Sequence, residues 1–200
     1  MRVIAGSAKG RRLKGPPSFA TRPMAEKVKE ALFAVLGSLG VQFDRVLDLY
    51  AGTGGLGIEA LSRGASWVDF VDQSPAAAAV IRHNLALTKL DADSRVHVMS
   101  VAAYLNRASE PYDFVILDPP YADPAIQETL EKLASSRLVQ SGTIVAIGHW
   151  PRIDLPEQIG SLVQVRQRCH GDSCFSIYEV EVDGVSASGE AANRFEGLRD

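Results

Sequence analysis

The tetrapeptide Asp118-Pro119-Pro120-Tyr121 carries the side chains best suited to chemistry in this sequence. It directly follows the apolar run 114–117, which predicts a buried strand. Because the two prolines donate no backbone N–H, the turn exposes carbonyl oxygens beside a carboxylate and an aromatic ring. A planar base with an exocyclic amino group fits such a site, so the residues predict nucleobase N-methylation. Taken alone, the tetrapeptide is as compatible with a plain strand-to-helix turn.

A second candidate site is a glycine-rich loop between a predicted strand and a predicted helix. Gly52, Gly54 and Gly57 have the G-x-G-x-x-G spacing. Glycines there allow a tight turn and a close cofactor approach, and the amides at the helix start bind an anion. That anion is either a pyrophosphate or a carboxylate, so the loop does not choose between a dinucleotide and S-adenosylmethionine.

Two acidic residues accompany the loop. Asp72 follows the next predicted strand, where it either accepts hydrogen bonds from ribose hydroxyls or caps the helix beginning near Pro75. Asp48 lies four residues before Gly52, where dinucleotide-binding strands usually have an apolar residue. An acid there would meet the ammonium group of S-adenosylmethionine, directly or through water. Asp48 therefore favours that cofactor, against the alternative that it only binds loop amides.

Charge is distributed unevenly along the chain. Residues 1–30 carry a net charge of +6 and the remainder −9. A basic arm can neutralise phosphates without reading sequence, which predicts a nucleic-acid partner despite the overall charge of −3. A solvated charge run with no partner is the alternative.

The elements that position these residues alternate between short apolar runs and helical patterns. Strands are predicted at 46–47, 67–71, 96–98, 114–117 and 143–147, and helices at 56–63, 75–88, 102–108 and 124–136. Two further runs, 162–169 and 175–182, flank a short turn and predict an antiparallel hairpin. This α/β layout is that of the Rossmann-like class I S-adenosylmethionine-dependent methyltransferase fold, with a seven-stranded mixed sheet in the order 3-2-1-4-5-7-6.

The chain divides into three parts. We expect a basic N-terminal β-hairpin arm over 1–20, one methyltransferase domain over 21–182, and a flexible tail over 183–200. The domain would open with a helix that is capped by Thr21, has Pro23 in its first turn and ends at Gly37.

Composition predicts a cytoplasmic protein with no membrane association, and we expect a monomer. Hydrophobic residues make up 46% of the 200, and no segment resembles a signal peptide or a membrane span. We expect the two cysteines, Cys169 and Cys174, to be free thiols. The four histidines show no ligand spacing, so no metal is expected.

Five segments taken together resemble the RsmD family, whose members methylate guanine N2 in bacterial small-subunit ribosomal RNA. The resemblance covers residues 1–182 and lies in the segments 2–13, 21–23, 48–54, 57–65 and 118–121. It implies S-adenosylmethionine as cofactor, a cytoplasmic location, and ribosomal RNA or a small-subunit assembly particle as partner.

The resulting hypothesis assigns three sets of site residues. The catalytic set is Asp118, Pro119 and Tyr121. The cofactor-binding set is Asp48, Gly52, Gly54, Gly57, Asp72, Ser100 and Val101. The RNA-binding set is Arg2, Lys9, Arg11, Arg12, Lys14 and Arg22. For Asn84, which matches a position commonly asparagine in the family, we expect a structural hydrogen bond.

Three positions depart from the family pattern. Met24 stands where threonine is common, and Val101 stands where an acid or amide is common, so contact with the adenine amino group falls to Ser100 or to backbone. Gly148 replaces a glutamate after the fifth strand. The adjacent His149 and Trp150 would supply stacking instead, or Trp150 would close the edge of the core.

Three alternative functions remain open. Another amino-methyltransferase, acting on adenine N6 or a glutamine amide, would use the same acceptor chemistry. A nicotinamide oxidoreductase would share the glycine loop but leaves the tetrapeptide unexplained. A catalytically impaired relative would retain only RNA binding.

Overall fold

The computed structural model describes residues 1–15, 26–120 and 125–181. The helices in these ranges are α1 (Glu26–Ser38), α2 (Gly55–Ser62), α3 (Pro75–Thr88), α4 (Val101–Arg107) and α5 (Ile126–Ala134). The strands are β1 (Arg45–Leu49), β2 (Trp67–Asp72), β3 (Ser94–Val98), β4 (Phe114–Leu117), β5 (Ile144–His149), β6 (Gln158–Ile159), β7 (Leu162–His170) and β8 (Ser173–Val180). No helix in the described ranges is long and apolar enough to cross a bilayer.

All the strands form one mixed sheet in the order β3-β2-β1-β4-β5-β8-β7-β6. Strands β1 to β5 are parallel, and β8 pairs antiparallel with both β5 and β7. The predicted order is confirmed, but the count of seven strands is wrong because of β6. The chain turns at Gly160, whose φ is +58°, and Ile159 pairs with Leu162. Two residues are too short a segment to show an alternating pattern.

Each face of the sheet buries its own apolar cluster. One face packs against α1, α2 and α3, with Leu32, Ile58 and Ile81 fully buried. The other face packs against α4 and α5, with Leu130 and Leu133 fully buried. The central strands β1, β4 and β5 are therefore covered on both sides, as their buried apolar residues require.

The N-terminal arm is part of this core. Within residues 1–15, Arg2 and Arg12 form an antiparallel β-bridge, and the amides of Val3 and Leu13 donate to the carbonyls of Arg11 and Met1, both at 3.0 Å. Val3, Ala8 and Leu13 point inward and join the cluster around α1 and α2. The predicted helix start around Thr21 and Pro23, like the predicted tail, lies outside the described residues.

The two cysteines contradict the prediction of free thiols. Cys169 and Cys174 are directly opposed in the β7–β8 ladder, with a Cα–Cα distance of 4.0 Å, and they form a disulfide. The sequence showed that they flank a turn, but the hairpin register decides that they face each other. In a reducing compartment such a pair is held as two thiols.

Candidate active site

The candidate site lies where the carboxyl ends of β1, β2 and β4 meet. The strand order reverses between β1 and β4, and at such a switch point an open α/β sheet leaves a crevice for ligands. Asp48 in β1, Asp72 at the end of β2 and Asp118 after β4 all reach this edge. The structure thus brings together three acids that lie far apart in the sequence.

The glycine loop connects β1 to α2 at this edge. Gly54 is in the left-handed region at φ +75° and precedes the first residue of α2. Gly57 lies inside α2, where an added Cβ would be 2.3 Å from a ring carbon of Phe70. The third glycine of the motif therefore lets the helix pack closely on the sheet.

Asp48 is fully buried beneath the loop. Its Oδ2 accepts the Gly57 amide at 2.9 Å, whereas its Oδ1 is buried and has no hydrogen-bond partner. Burial raises the pKa of Asp48 well above the usual carboxyl range, the Gly57 bond opposes this, and the Asp118 and Asp72 carboxylates add to it. A buried acceptor beside two other acids is a site prepared for a cationic donor.

Asp72 holds the glycine loop against the start of α3. Its Oδ2 accepts the Gly52 amide and its Oδ1 accepts the Ser74 amide, both at 2.8 Å. The cap of α3 is Ser74, whose Oγ accepts the Ala77 amide at 3.2 Å, so Asp72 is not the helix cap. A carboxylate has about four lone-pair positions, which leaves acceptor capacity for ribose hydroxyls.

The residues expected near the adenine take structural roles at the start of α4. Ser100 is the N-cap, and its Oγ accepts the Ala103 amide at 3.2 Å. Val101 is buried in the core on the α4 side of the sheet. A valine here therefore preserves packing but supplies no polar contact from its side chain.

The acceptor turn follows β4 immediately. Asp118 is partly buried, Pro119 is buried and Pro120 is exposed. The Asp118 amide donates to the Leu49 carbonyl at 3.4 Å, which ties the turn to the end of β1. The predicted stacking residue, Tyr121, lies outside the described residues.

The basic arm runs along α2 away from this edge. Its two ends lie near the glycine loop, whereas its tip is held by Ser62 at the far end of α2, where the Ser7 amide donates to the Ser62 carbonyl at 2.7 Å. Since α2 has eight residues, the tip lies about 12 Å from the loop. The exposed cations of the described arm are Arg2, Lys9, Arg11, Arg12 and Lys14. Arg22 lies outside the described residues.

The comparisons with known proteins concern nearly the whole chain. The family model described as "Conserved hypothetical protein 95" matches residues 1–179. "Putative rRNA methyltransferase YlbH" of Bacillus subtilis (strain 168) is 36% identical over 184 residues, covering 90% of this chain and 98% of the relative. The "Ribosomal RNA small subunit methyltransferase D" of Escherichia coli (strain K12) is 28% identical, covering 93% of each. The chain belongs to the RsmD family.

A solved structure agrees with this membership. The "Putative methyltransferase yhhF from Escherichia coli" superimposes with a TM-score of 0.79 at 28% identity, covering 90% of this chain and 98% of that one. The predicted methyltransferase fold is therefore confirmed. No cluster of three or more metal-binding side chains is present among the described residues.

Within this RsmD-family chain, Glu59 anchors the arm, a role the sequence reasoning missed. Its buried carboxylate accepts the amides of Ile4 at 2.8 Å and Ala5 at 3.0 Å, and it pairs with Lys29 at 3.1 Å and Arg63 at 2.9 Å. The signal was available: Glu59 is the only charge in the apolar helix Gly55–Ser62. A charge on such a helix is buried and needs partners.

Lys29 also corrects the interpretation of the basic arm. Its side chain is only 1% exposed, and besides pairing with Glu59 its Nζ donates to the Arg2 carbonyl at 2.7 Å. Burial lowers the pKa of Lys29, and Glu59 opposes that effect. One of the cations counted in residues 1–30 therefore stabilises the fold and does not face solvent.

Asn84 has the structural role that the sequence predicted. Its side chain is fully buried in α3 and exchanges two hydrogen bonds with the Lys14 backbone, at 2.7 and 3.1 Å. It also donates to the Thr53 carbonyl at 2.9 Å. One side chain thus joins the end of the arm to the glycine loop.

His149 and Trp150, next to the Gly148 departure, lie in different environments, although the sequence analysis treated them together. His149 is buried and bonded to the Ser176 hydroxyl at 2.9 Å, and burial lowers its pKa, so it supplies no stacking surface. Trp150 is 42% exposed and does not close the core edge. Met24, the first departure, lies outside the described residues.

Proposed function

We propose that this chain transfers a methyl group from S-adenosylmethionine to the exocyclic N2 of a guanine in small-subunit ribosomal RNA. The observation that carries the proposal is the buried, unpartnered Oδ1 of Asp48 at the same sheet edge as Asp118. One acid suits a cationic cofactor and the other suits an amino group. Membership of the RsmD family supports the ribosomal substrate, and the base and atom follow that family's known reaction.

The site residues fit S-adenosylmethionine better than a dinucleotide. The cofactor has an ammonium group and a sulfonium, and three acids supply the complementary charge. Asp48 would accept the ammonium group, Asp72 the ribose hydroxyls, and the amides of the glycine loop the carboxylate. Ser100 and the backbone around Val101 would border the adenine. When bound, the cofactor supplies an electrophilic methyl group.

Replacing Asp48 by asparagine should change cofactor affinity and stability in opposite directions. Loss of the carboxylate weakens S-adenosylmethionine binding by about 10- to 100-fold, because a charged hydrogen bond is lost. Because the folded-state pKa of Asp48 is raised, the ligand-free protein loses stability as pH rises through that pKa. Asparagine does not titrate, so the ligand-free variant should melt a few degrees higher at neutral pH. Calorimetry and thermal denaturation measure the two effects.

The matched control for this variant is Asp44→Asn, because Asp44 is exposed and directly precedes the opposite end of the same strand. It should change neither quantity. In the wild type, affinity should also fall as pH is lowered through the raised pKa of Asp48, since only the carboxylate attracts the ammonium group. Unchanged cofactor affinity in Asp48→Asn would contradict the assignment.

The acceptor turn would orient the amino group. The lone pair of guanine N2 is delocalised into the ring, so it must be turned toward the methyl group. If the Asp118 carboxylate and the Pro119 carbonyl accept the two N–H bonds, the lone pair points out of the base plane. No side-chain nucleophile is needed. Tyr121 would stack on the base, and the released proton would pass to Asp118 or water.

The arm would hold the RNA at a distance from the chemistry. Its cations are exposed, so they can contact phosphates without reading bases. Binding should therefore weaken steeply with salt. We place the protein in the cytoplasm, as a monomer acting on ribosomal RNA or an assembling small subunit.

The decisive experiment is methyl transfer to undermodified small-subunit RNA and particles. With S-adenosylmethionine labelled in its methyl group, nucleoside analysis should recover labelled N2-methylguanosine. Recovery of N6-methyladenosine would replace guanine by adenine as the substrate. Label on protein, or no transfer to either RNA or particles, would refute the proposed function.

A further inference from the structure

Trp150 is an exposed aromatic side chain beside the candidate active site. Its 42% exposure is matched among the large apolar residues of the described chain only by Leu87 and Val98. It follows β5 directly, where the buried His149 ends the strand and its Nδ1 donates to the Trp150 carbonyl at 2.9 Å. The Ile153 amide donates to the same carbonyl at 3.0 Å, which closes a turn. The backbone of Trp150 is therefore fixed while its indole is accessible.

The strand register places Trp150 at the same edge of the sheet as the acceptor turn. Leu117 of β4 pairs with Ile147 of β5, so Asp118 lies level with Gly148. Trp150 comes two residues after Gly148, directly beyond the end of β5. An extended continuation of both strands by ordinary strand spacing and rise would put the Cα atoms of Asp118 and Trp150 about 8 Å apart. A nucleotide next to one bound at Asp118 would reach this position.

Two guanidinium groups accompany the indole. Arg152 lies in the same turn, with its Cζ 5.9 Å from the centre of the Trp150 ring. Arg168 on β7 is exposed. It pairs with Phe175 on β8, and Phe175 also pairs with Gly148 on β5, so Arg168 and Gly148 lie at the same height in the sheet. Neither arginine forms an ion pair with another described residue. Both cations are therefore available to an anionic partner.

We propose that Trp150, Arg152 and Arg168 form a second RNA contact, in which the indole stacks on an unpaired base flanking the target guanine. The two arginines contact the phosphates of that segment. This inference rests on the proposed function, because it presumes that RNA reaches the acceptor turn. It adds a contact on the opposite side of Asp118 from the arm, so the target nucleotide would be held from both sides.

The chemistry favours single-stranded RNA over a protein partner. Stacking on an aromatic ring with nearby arginines is how proteins bind unpaired bases. A protein-docking surface would require a contiguous apolar patch, whereas the cation of Arg152 lies beside the exposed ring of Trp150. A base-paired segment would keep its bases stacked on each other and would leave the indole unused.

Kinetics of Trp150→Ala test the stacking contact. The KM for RNA should rise by about 5- to 100-fold, with kcat and S-adenosylmethionine affinity changed less than about threefold. Trp150→Phe keeps a ring and should recover most of the loss. Leu87→Ala removes an equally exposed apolar side chain on α3 and should leave KM unchanged.

Fluorescence provides a readout that does not depend on activity. A single-stranded RNA oligonucleotide that contains guanine should quench the indole emission of the wild type and of Leu87→Ala, but much less in Trp150→Phe. The other tryptophan, Trp67, lies at the start of β2 with its Nε1 bonded to Asp69 at 2.9 Å, away from this edge. Arg152→Ala and Arg168→Ala should each reduce the salt dependence of RNA binding by about one counterion.

The outcomes separate the two proposals. If the wild type methylates RNA while Trp150→Ala keeps its KM and quenching is equal in Trp150→Phe, the second contact is refuted and the function stands. If the wild type transfers no methyl group to RNA, the function is refuted. In that case quenching of Trp150 by RNA would still support the contact, and its absence would refute both.

Discussion

Asp118→Ala is expected to abolish methyl transfer while S-adenosylmethionine still binds within about threefold of wild-type affinity. The carboxylate is proposed to fix the amino group of the base, and loss of one preorganised polar contact at a reacting group costs about 100- to 1,000-fold in rate. Misplacement of the nucleophile adds to this loss, because the uncharged amine relies on orientation alone. Single-turnover methyl transfer and calorimetry with the cofactor measure the two quantities.

Two further variants make the Asp118 prediction specific. Asp118→Asn retains one acceptor oxygen and should lose less activity than alanine does. Asp172→Ala removes an exposed carboxylate from the hairpin turn at the same edge of the sheet and should leave the rate unchanged. Full turnover in Asp118→Ala, or an equal loss in Asp172→Ala, would show that Asp118 does not position the amine.

The sheet could be predicted from the sequence because its signals are local. Each parallel strand is a short apolar run followed by a helical pattern, and right-handed crossovers then leave few possible strand orders. The order and the antiparallel hairpin are confirmed for this reason. β6 was not predicted because two residues carry no periodicity, and its pairing depends on the turn at Gly160.

The environment of the site could be predicted only in part. The positions of Asp48 and Asp72 follow from the glycine spacing, but burial of Asp48 and the absence of a partner for its Oδ1 depend on how α2 packs on β1. The docking of the arm is also a long-range property. Its anchors in α2 and α3, Glu59 and Asn84, lie 54 to 70 residues from the amides they bind. Sequence periodicity does not report contacts at that separation.

Arm docking connects the stability of this protein to its proposed RNA binding. The buried carboxylate of Glu59 accepts hydrogen bonds from two arm amides and pairs with two cations. Glu59→Ala leaves the Lys29 amine without this partner and only 1% exposed, and breaking a buried pair in this way costs about 3–5 kcal/mol of unfolding free energy. Urea denaturation should show that loss. Hydrogen exchange should show the amides of Ile4 and Ala5 losing protection, because they lose their acceptor.

The cause of the Glu59 effect can be separated from a general loss of helix stability. Lys29→Met combined with Glu59→Ala removes both charges, and the double variant should recover part of the loss because no unpaired charge stays buried. Glu128→Ala removes an exposed glutamate that pairs with Lys132 on α5, and it should have little effect. If the arm amides of Glu59→Ala stay protected, the carboxylate does not anchor the arm. If these amides exchange freely, the affinity for RNA should also fall, because the undocked arm no longer holds its cations along α2.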